Sequence, residues 1–565
     1  PRIGIGDTIA KRNGKWGHDV CPDAVPFGSV REMIAVQALR QFTATDAADA
    51  DTYTASKAII NEADAFAPAD DNSPAPQQEF IPNKYHGPIF EAVERHDWNL
   101  VISGTAGCGK TTSSEQIIKR IQRNKSIIYL VFASRNRKEA QTKFEKYPNV
   151  DVHTYHSFCL SMLRKVLPKF KVDSDGKKVY QTLREISDYE SEKELWPMVA
   201  KVIGLLQNTL TNPNDYDALN AMCNYYAVEL NGNSARVFEL ARSALDLIRS
   251  NKSLISFDDM PYLAVVDSVS LQHYDYVIVD EGQDANKTNI EIVKRLALYA
   301  EMVICVGDRN QSIMGFRGSE NDAMDQMIVE LNAIELPLSL CYRNSKAVCR
   351  LVNETFPEIV HEVPGDAPQG EVLTIATQDL QACVKPGDMV ICRTNAPLVK
   401  PAFDLIRRGI KAVILGRSIG EELVNLIGRV TKRINTDNLE VILSELGQYQ
   451  SQECDRLLRQ GKEAQAQSLE DKVDTIFALA DGCKLLSELI DKAESIFSDD
   501  AKGVVFSSGH RAKGLESENV FILKYELCPH PMALKSGKAW QLVQEKNIQF
   551  VMLSRAKLRL YFVND

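Results

Sequence analysis

Nothing in these 565 residues approaches the roughly 20-residue apolar run that a membrane-spanning helix needs. The 12 cysteines include no C-x-x-C pair and no Cys/His cluster at zinc-ligand spacing, so neither a disulfide framework nor a structural metal is predicted. No charged-then-apolar leader opens the chain, and with the scattered thiols this predicts a protein that stays in a reducing cytoplasm. Positive charge is also missing. The net charge is -10, whereas a chain that binds nucleic acid normally draws its non-specific affinity from Lys and Arg. The deficit is local: residues 41–76 hold seven acidic side chains against the single Lys57, which leaves basic residues elsewhere to line a groove.

That acidic Ala/Asp/Pro-rich stretch has few apolar residues to offset ordering entropy and reads as a linker or loose tail, preceded by one amphipathic helix around 30–42. From Phe80 onward the pattern changes. Short β-branched runs at 100–102, 127–132, 276–279, 303–306, 389–392 and 520–523 alternate with helical segments, as in parallel sheets flanked by helices. Two stretches break the alternation with helical periodicity. One, 161–264, carries Val237, Phe238, Ala241, Ala244, Leu245 and Ile248; the other, 420–498, carries Leu469, Val473, Ile476, Phe477, Leu485, Leu486, Leu489 and Ile490. Both read as helical insertions, their apolar stripes serving core packing. At 44% hydrophobic residues the chain is long enough for three or four domains.

Residues 104–111 read GTAGCGKT, the G-x-x-x-x-G-K-[ST] pattern, directly after an apolar strand and before a helical run. Gly104, Thr105, Ala106, Gly107, Cys108 and Gly109 form the loop, whose backbone N–H groups turn inward around phosphates. Lys110 reaches the β- and γ-phosphates, Thr111 offers its hydroxyl to Mg²⁺, and Thr112 follows at the helix start. Cys108 reads as a small filler. The run 276–279 ends in DEGQD at 280–284, two adjacent carboxylates at the carboxyl end of a strand, where parallel α/β sheets bind ligands. With a phosphate loop upstream, Asp280 is expected to hold Mg²⁺ and Glu281 to orient and deprotonate an attacking water.

DEGQD followed by GDRNQSIMGFRG at 307–318 resembles motifs II and III of the UvrD/Rep helicases. The remaining motifs of that family follow in order. FASRN at 132–136, TYHSF at 154–158 and FDDM at 257–260 are similar to its segments before motif II; Tyr342-Arg343 and CRTN at 392–395 resemble motif IV and its successor. HRAKGLE at 510–516 resembles motif V, and Gln544-Glu545 leading to LSRAK at 553–557 resembles motif VI. The resemblance covers about 80–565 and is nearest to shorter, phage-type members of superfamily 1A.

The resemblance implies an α/β chain of two RecA-like P-loop NTPase domains with helical insertions. Residues 1–78 would be an N-terminal extension, 79–160 with 265–338 the first RecA-like domain, and 161–264 its insertion. Residues 339–419 with 499–565 would form the second RecA-like domain and 420–498 its small insertion. It further implies that Gln311 and Arg343 sense the γ-phosphate, Tyr342 stacks on adenine, Glu516 approaches the ribose and Arg555 acts as an arginine finger. His86 stands where the family places an adenine-reading Gln, and Met314 where motif III usually has an aromatic. His156, Phe316, Arg317, Arg393 and His510 are the expected nucleic-acid contacts. The implied activity is ATP- and Mg²⁺-dependent 3′-5′ translocation on single-stranded DNA, with unwinding at single-strand/duplex junctions during replication, repair or recombination. A monomer or weak oligomer is expected, in the cytoplasm near the nucleoid or in a host cytoplasm, with residues 1–78 free to dock a replication or repair partner or to compete with DNA. Two other readings stand beside this one: an RNA or dual-specificity helicase, since no residue reads the 2′-hydroxyl, and a nucleotide-switched adaptor of a replication complex.

Overall fold

The computed structural model describes residues 9–12, 15–18 and 80–565, apart from 97, 168, 227, 229, 231, 314–321, 435, 460–462, 499–502, 537 and 565. The chain divides into two compact units, 1–81 and 82–565. In the first, β1 (Ile9–Arg12) pairs antiparallel with β2 (Lys15–His18). The helix expected at 30–42 and the acidic stretch 41–76 lie outside the described residues, as do Phe316 and Arg317.

The second unit holds two parallel sheets. In the first lobe β3 (Leu100–Gly104), β4 (Ile127–Val131), β5 (Val150–Thr154), β8 (Tyr276–Asp280), β9 (Met302–Gly307) and β10 (Ile334–Leu338) run in the order β10-β3-β9-β8-β4-β5, and a separate two-stranded pair joins β6 (Lys171–Val172) to β7 (Leu254–Ile255). In the second lobe β11 (Glu371–Ala376), β12 (Met389–Cys392), β13 (Ala412–Leu415), β14 (Phe497–Ser498), β15 (Val504–Ser508), β16 (Ser517–Leu523) and β17 (Ala556–Asn564) run in the order β11-β17-β16-β12-β15-β13-β14. Central strands such as β4, β8, β9 and β12 are buried along their whole length, so they read as unbroken apolar runs.

Helices interrupt each lobe. Between β5 and β8 the chain forms, among others, Trp196–Thr209 and Ser234–Ser250. Val237, Phe238, Ala241, Ala244, Leu245 and Ile248 line the buried face of Ser234–Ser250 and share a core with Val101, Ile128 and Leu130 of the sheet. The helix Tyr155–Val166 is continuous through residues 160 and 161, where the sequence reading places a boundary. Between β13 and β14 stand Arg417–Ile434, Leu439–Arg459, Glu463–Ala480 and Leu486–Ile496. Their Leu423, Ile427, Ile442 and Val473 pack in one core with Val390 and Phe506, whereas Leu485 stays exposed. The opposite face of the second sheet, with Ile391, Ile522 and Leu560, shares a core with Phe550 of the helix Ala539–Leu553 and with Ala106 and Ile313 of the first lobe. The lobes are thereby packed together directly beside the phosphate loop.

Candidate active site

The loop 104–109 leaves β3 at its carboxyl end and enters the helix Lys110–Arg120. Gly107 and Gly109 have φ of 69° and 79°, a left-handed conformation that only glycine adopts without strain. A side chain at Gly107 would also collide with the second lobe, since a Cβ there would lie 2.5 Å from Arg343 Cβ and 2.9 Å from Cys341 Sγ. One at Gly104 would meet Cys108 Sγ at 2.8 Å. Burial pushes the Cys108 thiol up to about 12, so it is a packing group and no nucleophile.

Around Lys110 stand three carboxylates, Asp280 at the end of β8, Glu281 directly after it and Asp308 after β9. Burial alone would lower the Lys110 pKa, but Glu281, Asp308 and Asp280 outweigh it and hold the ammonium charged. Asp280 accepts from Tyr129 Oη at 2.9 Å and from the Glu281 N–H at 3.0 Å. Burial beside Glu281 pushes its pKa up. Glu281 shifts the other way: burial opposes its charge, but Lys110, Lys513 and Arg555 favour it, and Gln283 Nε2 donates to its Oε2 at 2.5 Å. Glu281 is thus held ionised, while its neighbour Asp280 takes up a proton more readily. Glu281 also sits at φ 54°, strained for a non-glycine residue.

The second lobe closes over this cradle. The Tyr342 N–H donates to Gly107 O at 2.9 Å. Lys513 Nζ bonds both Asp284 oxygens, at 2.8 and 2.6 Å, and Gln311 O at 2.8 Å. Asn547 Nδ2 donates to Ser312 O at 2.8 Å. Arg555, 1% exposed, reaches Gln311 Oε1 at 3.5 Å, while Gln311 Nε2 donates to Asp308 Oδ2 at 2.6 Å. Burial and the neighbouring Arg343 push the Arg555 pKa down, the mark of a cation with too little counter-charge around it. Arg343 Nε donates to Glu516 Oε2 at 2.7 Å, yet its buried Nη1 has no hydrogen-bond partner among the described residues. A buried guanidinium nitrogen without an acceptor, beside an under-neutralised arginine and a left-handed glycine loop, fits a polyphosphate. Glu516 here also accepts from Lys557 at 2.9 Å; it holds two cations, and its ribose role is carried only by the resemblance. Tyr342 is 53% exposed, with its Oη accepting from Asn83 Nδ2 at 2.9 Å.

Two expectations need correction. His86 is 1% exposed: its Nδ1 accepts from the Asn83 N–H at 3.1 Å, and its Nε2 lies 3.0 Å from Ser113 Oγ. The ring is turned into the first lobe against Phe90, so it does not present an edge to a base. Arg393 is likewise buried. Its guanidinium forms a bidentate pair with Glu545 at 2.9 and 2.5 Å, and Glu545 also accepts from the His530 N–H, so Arg393 ties β12 to the helix Ala539–Leu553 and is not free to meet a phosphate. His510 lines a cavity together with Lys110 and Arg343, its pKa pushed down to about 3 by burial and Arg393, and it is therefore neutral. His156 packs edge-on against the exposed Phe257, with ring centroids 6.2 Å apart.

A cavity of about 1000 Å³ has Gly107, Lys110 and Arg343 in its lining together with Phe132, Arg135, Asn136, Arg511 and Trp540. Tyr129, Asp308, His361, Lys513 and Asn547 join the site without a role assigned from sequence. Asp308 and Lys513 lie in the segments resembling motifs III and V, and Asn547 lies between Gln544-Glu545 and LSRAK, a usable signal; His361 lies in no motif.

A phosphate loop and an acidic strand end on one parallel α/β lobe, faced by arginines from a second, define a two-lobed P-loop NTPase of RecA-like architecture. Residues 89–332 match the UvrD/REP helicase N-terminal domain and residues 336–564 the UvrD-like helicase C-terminal domain. The chain belongs to the UvrD-like helicases of superfamily 1A. It is 26% identical over 296 residues to "ATP-dependent DNA helicase PcrA" of Staphylococcus aureus, covering 47% of this chain and 39% of that protein. It is 28% identical over 259 residues to "Probable DNA helicase II homolog" of Mycoplasma pneumoniae, covering 40% and 35%. The chain thus spans less than two-fifths of the length of these relatives. No helix among the described residues is long and apolar enough to cross a membrane.

Proposed function

We propose that this protein hydrolyses ATP between its two lobes and uses the resulting opening and closing to travel 3′-5′ along single-stranded DNA, separating strands at duplex junctions. The observation that carries the reading is Arg343 Nη1, without a hydrogen-bond partner among the described residues and buried with Arg555 over the loop that leads into Lys110. The loop N–H groups and Lys110 hold the phosphates, and Glu281 accepts a proton from water as its oxygen attacks the γ-phosphorus and ADP leaves. Arg343 and Arg555 neutralise charge that spreads over the transferring phosphoryl group. Thr111 and Asp280 would hold Mg²⁺. Among the described residues no three His, Cys, Asp or Glu form a metal cluster, so the ion would take its further ligands from phosphate and water. When bound, Mg²⁺ would supply neutralisation of phosphate charge.

Loss of the γ-phosphate removes the contact that distinguishes closed from open lobes, which makes hydrolysis a two-state switch. The part of the cavity walled by Phe132, Arg135, Asn136 and Arg511 would take the single strand, and the exposed Phe257, packed on the half-buried His156, offers a ring on the first lobe. The names of the relatives favour DNA over RNA. ATP consumption measured with DNA and RNA oligonucleotides, alongside unwinding of 3′- and 5′-tailed duplexes, tests the reading. Stimulation by DNA and unwinding from a 3′ tail are expected; stimulation by RNA alone, or unwinding only from a 5′ tail, contradicts it.

A further inference from the structure

His361 belongs to neither catalytic loop, is 2% exposed, and touches both halves of the machinery. It follows the helix Lys346–Thr355 on a segment that runs beside 339–341, where the Cys341 N–H donates to Glu362 O at 2.6 Å and the Glu362 N–H to Ser339 O at 3.0 Å. The imidazole is clamped at both nitrogens. Nδ1 lies 2.7 Å from Oγ1 of Thr105, the second residue of the phosphate loop, and Nε2 lies 2.9 Å from Asn344 Oδ1.

Proton placement follows from Asn344. Its Nδ2 donates to Ser554 O at 3.2 Å and to Ala556 O at 2.6 Å, so its Oδ1 is the acceptor and His361 Nε2 must carry the hydrogen. Nδ1 is then a bare acceptor, and the Thr105 hydroxyl donates to it. Asn344 directly follows Arg343, and Ser554 and Ala556 flank Arg555. One neutral ring therefore joins the phosphate loop to the peptide segments that carry both arginines, and Phe550 fixes its plane edge-on at 6.1 Å. Burial, Arg343 and Arg555 push its pKa down to about 4, which preserves this arrangement at ordinary pH.

We propose that the Thr105–His361–Asn344 bridge is a positioning device that registers the phosphate loop against Arg343 and Arg555, so that nucleotide held by one lobe meets both cations of the other. This deepens the ATPase reading and rests on it for its catalytic consequence. It has a readout that needs no nucleotide: the Tyr342 amide bonds Gly107 O across the lobes, so its hydrogen exchange reports their docking.

The test compares the full chain with His361→Ala, His361→Gln, Thr105→Val and the Thr105→Val/His361→Ala double variant. It measures single-strand-stimulated ATP turnover, binding of a non-hydrolysable ATP analogue, and exchange at Tyr342 without nucleotide. A small displacement of reacting groups can cost on the order of 100-fold in rate, so His361→Ala should lower kcat by about that factor. Analogue affinity should change far less, and Tyr342 exchange should rise about 10-fold by the same loss of registration. Gln, with one acceptor and one donor on its amide, should restore part of both. The double variant should be no worse than His361→Ala, because both changes cut one linkage. Parent-like turnover and exchange in His361→Ala, or effects that multiply in the double variant, overturn the proposal. If His361→Ala folds poorly, Thr105→Val alone must speed Tyr342 exchange, and failure to do so overturns it equally. A parent chain without ATP turnover removes the ATPase reading instead, and the exchange results still decide whether the bridge registers the lobes.

Discussion

The two lobes have the same architecture and assemble their halves of the site in opposite ways. The first draws its cradle from three short segments, 104–112, 280–284 and 308–311, each at the carboxyl end of a buried strand. The second brings Arg343, His361, Lys513, Glu516, Asn547 and Arg555 from segments spread over some two hundred residues, and fixes them by side-chain contacts with one another and with the first lobe. Local chemistry of backbone turns makes a phosphate cradle; only tertiary packing can aim a cation at it. Binding should therefore reside mainly in the first lobe, and the acceleration of phosphoryl transfer should depend on the second.

Arg555→Ala should break that division most visibly. Loss of an arginine finger costs roughly 10³ or more in turnover, and equilibrium binding of an ATP analogue should stay within a few fold. Glu281→Gln removes the base and should lower turnover by about 10² to 10⁴ in a rapid-quench assay, again with binding retained. A Glu281→Gln chain that turns over like its parent would remove the base assignment from the first lobe. Arg393→Ala tests a residue of the second lobe that the structure makes internal. It leaves the Glu545 carboxylate buried without its partner, so a denaturant melt should show a loss of about 3 kcal/mol or more. Unchanged stability with weaker DNA binding at every salt concentration would return Arg393 to the nucleic-acid track.

The smallest expected effect is on acid stability. The His361 pKa falls from 6.5 to about 4 on folding, so the unfolded chain takes up the proton first. Its contribution is complete above pH 6.5 and declines as the pH falls toward about 4. His361→Gln should show a shallower fall in unfolding free energy across that window, and an identical slope would contradict the buried neutral ring.

The same contrast explains what was legible in the sequence. The central strands β3, β4, β8, β9 and β12 stand out as apolar runs because both faces are covered. The edge strands β5 and β10 were not visible: β5 carries Asp151 and His153, β10 carries Glu335 and Pro337, and several of their residues face solvent. The phosphate loop and the acidic strand end are readable because strand, turn and helix follow one another in the chain. Arg343 and Arg555 were reached only through motif order, since an arginine reads alike in a surface pair and in a buried cleft. The face that His86 presents depends on Asn83 and Ser113, and the burial of Arg393 on Glu545, 152 residues away; neither contact has a sequence signature. His361 meets Thr105 across 256 residues and left no trace in any motif.

The most direct test is a structure of the protein with ADP, Mg²⁺ and a planar fluoride mimic of the transferring phosphoryl group. The mimic should lie between Lys110 on one side and the guanidinium groups of Arg343 and Arg555 on the other. A mimic held by Lys110 with both arginines turned toward solvent, or bound away from the 104–109 loop, would contradict the division of labour between the lobes.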